Sequence, residues 1–100
     1  MAILLKDRPI IITGGGTGIG AATALACARQ GMPVLLAGRR EAPLANVQSQ
    51  ITEAGGHAAI ATVDVTDEHH AEMLLDMTTS KFGPAWPVFA NAGRGLDRPG

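Results

Sequence analysis

The run Thr13-Gly14-Gly15-Gly16-Thr17-Gly18-Ile19-Gly20 directly follows the apolar stretch Pro9-Ile10-Ile11-Ile12 and opens the small-residue stretch from Ala21 to Gln30. A β-branched run that feeds a glycine-rich turn and then a helix constrains the fold more than anything else in the chain. Glycines permit the tight turn and let a ligand come close to main chain. The free N–H groups and the positive dipole end of the following helix then face an anion, so the segment reads as a cradle for a diphosphate.

The rest of the chain repeats that alternation. Pro9–Thr13, Pro33–Ala37, Ala58–Val63 and Pro87–Asn91 are short, mostly apolar runs, as expected of strands buried on both faces of a parallel sheet. Between them the spacing predicts helices over Gly18–Gln30, Glu41–Ala54 and Asp67–Phe82. The second carries Leu44, Val47 and Ile51 on one stripe, and the third carries Ala71, Leu74, Leu75 and Thr78 on its inner face. Gly31, Gly55-Gly56 and Gly83-Pro84 stop the three helices, and Thr66 is suited to cap the start of the third. The order βαβαβαβ predicts an α/β fold, a parallel sheet with right-handed crossovers. Arg94–Gly100 reads as open loop.

Composition removes several function classes. An apolar fraction of 46% with 17% charged residues is that of a globular chain, and 100 residues suffice for one domain. A formal net charge of −1 leaves no basic excess for nucleic acid or an anionic membrane. The apolar runs are strand-sized, too short to span a bilayer. Cys27 has no second cysteine to pair with, which fits a reducing cytoplasm, the expected location.

A Walker-type phosphate loop fails on one residue. The spacing from Gly15 to Gly20 is right, but Ala21 stands where the lysine must be. The general dinucleotide pattern is met only loosely, by Gly16-x-Gly18-x-x-Ala21. Thr-Gly-x-x-x-Gly-x-Gly, from Thr13 to Gly20, describes the loop better and resembles the cofactor loop of the short-chain dehydrogenase/reductase family. Asp64-Val65-Thr66 stands where that family has an Asp that accepts from the adenine amino group. Asn91-Ala92-Gly93 matches its Asn-Asn-Ala-Gly segment, with Phe82-Gly83 at the usual distance before it. Two departures are local: Ala90 replaces the first Asn of that segment, and Trp86-Pro87 stands where an Asp and a β-branched residue are usual.

The resemblance implies a Rossmann-type parallel sheet with helices on both faces, strand order 3-2-1-4, and a cofactor crevice between strands one and four. It implies a nicotinamide dinucleotide held by Gly14, Thr17, Gly18, Ile19, Gly20, Asp64, Val65, Asn91, Ala92 and Gly93. A carboxylate ending the second strand would hydrogen-bond the ribose of NAD and repel a 2′-phosphate. That position is Gly38, followed by Arg39 and Arg40, so NADP is the better-matched cofactor and NAD the lesser one. Arg39 is the expected phosphate contact, while Arg40 either stacks over adenine or faces water.

Other polar groups read as structural. His69 and His70 point about 100° apart on a helix and no cysteine completes a set, so no metal site is expected. Asp67, Glu68, Glu72 and Asp76 fit the solvated side of a helix, and Cys27 reads as a small buried apolar residue.

In the resembled family a hydride moves between the nicotinamide and a carbonyl or alcohol carbon. A Tyr is the general acid/base, a Lys four residues later lowers its pKa, a Ser orients the substrate oxygen, and an Asn on a later helix supports a water relay. This chain contains no Tyr, and Lys6 and Lys81 lie before the first strand and at the end of the third helix. No catalytic residue is therefore assigned in this chain. The expectation is one incomplete domain over residues 1–100, truncated after the fourth strand. It would be the cofactor-binding part of a longer oxidoreductase and inactive by itself. The parent would act on a small carbonyl or alcohol substrate, as a homo-oligomer. A non-catalytic NADP-binding module that senses or regulates is the alternative reading, and a degraded chain without function is a third. An outer edge of strand four carrying Val88 and Phe89 without cover would favour self-association.

Overall fold

The computed structural model describes residues 8–14, 18–63, 70–84 and 87–91. Four strands, β1 (Ile10–Thr13), β2 (Val34–Gly38), β3 (Ala58–Thr62) and β4 (Val88–Asn91), alternate with α1 (Gly18–Arg29), α2 (Glu41–Glu53) and α3 (His70–Phe82). They form one parallel sheet in the order β3-β2-β1-β4, as expected. Ile10 is in register with both Val34 and Val88, which sets β1 at the centre between β2 and β4.

Side-chain alternation along the strands divides the core into two layers. Ile10, Ile12, Val34 and Leu36 face α1 and α2, packing with Ala24, Leu44, Val47 and Ile51. Ile11, Leu35, Ala37, Ala59 and Ala61 face the other way and pack with Leu74 of α3, with Met77 and Phe82 alongside. The crossovers explain this division. From β1 to β2 to β3 the chain steps in one direction, so right-handed connections put α1 and α2 on one face. The step from β3 past two strands to β4 reverses direction, and the same handedness carries α3 to the opposite face.

The prolines stand just outside the ladders. Pro9 and Pro33 each precede the first described strand residue, where a missing N–H costs nothing. Their carbonyls still accept, Pro9 from the Val88 N–H at 2.9 Å and Pro33 from the Ile10 N–H at 2.8 Å. At the other end of β3 the pairing runs one residue beyond Thr62, the Val63 N–H donating to the Gly38 carbonyl at 2.8 Å.

Helix ends follow the glycines. Gly31 has φ 90°, its N–H donates to the Ala28 carbonyl, and the Met32 N–H reaches the Cys27 carbonyl. That bond pair is a Schellman motif, and Gly55 (φ 92°) with Gly56 repeats it against Thr52 and Ile51. Gly83 (φ 96°) closes α3 with a single bond to the Thr79 carbonyl. One expectation on α3 needs correction. Leu74 and Thr78 are buried, and the Thr78 hydroxyl is satisfied by the Leu74 carbonyl at 2.7 Å, but Ala71 is exposed. It lies in the first turn, one turn before the stripe that meets the sheet. Thr66 lies outside the described residues.

Candidate functional site

The C-terminal ends of β1 and β4 lie side by side, with Thr13 in register with Asn91. This is where the sheet reverses its order of connection, since β1 leads to β2 on one side while β4 arrives on the other. In open α/β sheets the carboxyl ends of the strands at such a switch point are the usual place for a ligand.

Thr13 ends β1 almost fully buried, its hydroxyl donating to the Ala90 carbonyl over a long 3.4 Å. Gly14 then turns the chain with φ 75° while its N–H donates to the Ala37 carbonyl of β2 at 2.9 Å. A side chain there would strain the backbone, so Gly14 is required by the turn itself. Gly18 and Ile19 start α1 and are both exposed, Ile19 by half, whereas Gly20 is buried. A Cβ built on Gly18 would meet no atom of the described residues within 4 Å. Nothing among the described residues asks for glycine at that position. Gly18 stands at the positive end of α1.

β2 ends at Gly38, and the chain then exposes Arg39 and Arg40. Arg40 is the N-cap residue of α2, with extended backbone (φ −117°, ψ 133°) and no side-chain bond to the helix N–H groups. Ser, Thr, Asp or Asn ordinarily caps that position, so α2 begins with no side-chain acceptor from its own cap. The atoms nearest to a Cβ on Gly38 belong to the Leu44 side chain, at 3.4–3.8 Å, ordinary contact.

The structure thus brings Gly14, Gly18, Ile19, Gly20 and Asn91 to one edge of the sheet, with Arg39 and Arg40 on the loop after the neighbouring strand. Thr17, Asp64, Val65, Ala92 and Gly93 lie outside the described residues. Two contributors were not singled out from sequence, the Thr13 hydroxyl and the Ala37 carbonyl. The first had a visible signal, a β-branched hydroxyl residue where an apolar strand meets the glycines; a backbone carbonyl has none. Cys27 stands in the last turns of α1, away from the crevice, and partial burial raises its thiol pKa above the ordinary value. Among the described residues no three His, Cys, Asp or Glu side chains group to hold a metal ion. No helix there is long and apolar enough to cross a membrane.

Comparison with known proteins agrees with this geometry. The family model for short chain dehydrogenases matches residues 8–99. An uncharacterized oxidoreductase of Listeria innocua is 36% identical over 89 residues, which are 89% of this chain and 36% of the relative. Among solved structures, NAD+-bound xylitol dehydrogenase superposes with a TM-score of 0.77 at 31% identity, covering 87% of this chain and 34% of that one. A metagenomic short-chain oxidoreductase in complex with NADP gives 0.74 at 26% identity, covering 83% and 37%. The chain therefore spans little more than a third of these relatives' length, and within that span a matching family model and a shared sheet place it in the short chain dehydrogenase family.

Proposed function

We propose that this chain is the NADP(H)-binding part of a short-chain oxidoreductase. The observation that supports the reading is the side-by-side C-terminal ends of β1 and β4, with Gly14 turning the chain at φ 75° and Gly18 starting α1 with no described atom within 4 Å of a built Cβ. In this reading the amides from Thr17 to Gly20 hold the pyrophosphate at the start of α1. Gly18 admits it to van der Waals contact with main chain, and Ile19 offers its exposed side chain to the ligand. Asp64 and Val65 receive the adenine beyond β3, and Asn91, Ala92 and Gly93 line the nicotinamide side beyond β4. When bound, the dinucleotide supplies a hydride to a carbonyl carbon or takes one from an alcohol.

The preference for NADP rests on β2 and the turn after it. Gly38 presents no carboxylate to repel a 2′-phosphate, and Arg39 and Arg40 are exposed beside the uncapped start of α2. A charge-assisted hydrogen bond contributes about 1.5–3 kcal/mol, and solvent exposure of Arg39 puts its share near the lower figure, about tenfold in affinity. NADP is bound to one structural relative and NAD+ to another, so the shared sheet alone does not choose the cofactor and the reading rests on the residues after β2.

With no Tyr in the chain, none of its residues is assigned the proton transfer, and the 100 residues alone are expected to turn nothing over. The non-catalytic sensor has no observation in its favour. The test is fluorescence titration of Arg39→Ala with NADPH and NADH. A loss of about tenfold for NADPH with NADH unchanged supports the assignment, and equal losses for both overturn it.

A further inference from the structure

No further inference is drawn: the strongest candidate, the small cavity between the C-terminal turns of α1 and α2 lined by Leu25, Ala28, Arg29, Ile51, Ala54 and Gly56, carries nothing because nothing in the structure shows what would fill it.

Discussion

The Thr13 hydroxyl donates to the Ala90 carbonyl at 3.4 Å, joining the ends of β1 and β4 across 77 positions of sequence. Both strands stop here, where the order of connection in the sheet reverses. A bond this long contributes toward the low end of the usual 0.5–1.5 kcal/mol. Thr13→Val is expected to lower unfolding free energy by about 0.5–1 kcal/mol in urea titration. A stability equal to that of the parent sequence would mean the hydroxyl does not hold the strands together.

Gly14 and Gly18 separate folding from binding. Gly14→Ala places a side chain at φ 75° and should destabilise the protein by about 1–2 kcal/mol. Gly18→Ala adds a methyl group that meets no atom of the described residues and removes a glycine from the start of a helix, so stability should hold or rise by up to about 1 kcal/mol. Its dinucleotide affinity should nevertheless fall, because the methyl group occupies the path of the ligand to main chain. Thermal melts paired with NADPH titrations read both effects. Unchanged affinity in Gly18→Ala would remove the phosphate from the start of α1.

Gly38 offers the converse of the arginine test. The Leu44 side chain lies at ordinary contact distance from a Cβ there, so Gly38→Asp should fold. Its carboxylate should favour the ribose hydroxyls of NADH and repel the NADPH phosphate. The ratio of the two dissociation constants is expected to move at least tenfold toward NADH. A ratio that stays put would place the 2′ position of the ribose elsewhere.

Phe89 sits on β4 in register with Ile11, yet Ile11 is completely buried and Phe89 is 47% exposed. Among the described residues β4 pairs with β1 alone and ends the sheet. An apolar residue on such a strand promotes edge association. Sedimentation of this chain should show association that grows with concentration, and Phe89→Lys should reduce it. Association identical in the two proteins would assign it to another surface.

Much of the fold is legible along the chain because its signals are local. Apolar runs of strand length, the Leu44, Val47 and Ile51 stripe and the glycines at 31, 55 and 83 each report on a few neighbouring residues. They located every element to within about a turn. The candidate site was legible for the same reason, since its glycines are contiguous and its arginines directly follow a strand. Ala71 was misplaced because periodicity gives a helix a face without saying where along its length the sheet begins. Gly56 shows the complementary limit. As a helix stop it is one glycine of two, but in the structure a Cβ there would lie 2.8 Å from Ile51 Cγ2 and 3.3 Å from Ala28 Cβ.

By itself the sequence determined which segments extend, which coil and where the backbone must take positive φ, because those are choices made within a few bonds. Only the tertiary structure decided that α1 and α2 share one face while α3 takes the other. It also decided that Thr13 meets Ala90, and that Gly18 has no neighbour among the described residues within 4 Å of a built Cβ while Gly56 is hemmed in. These depend on how segments far apart in the chain stack once a twisted parallel sheet imposes right-handed crossovers, and no local pattern carries that information.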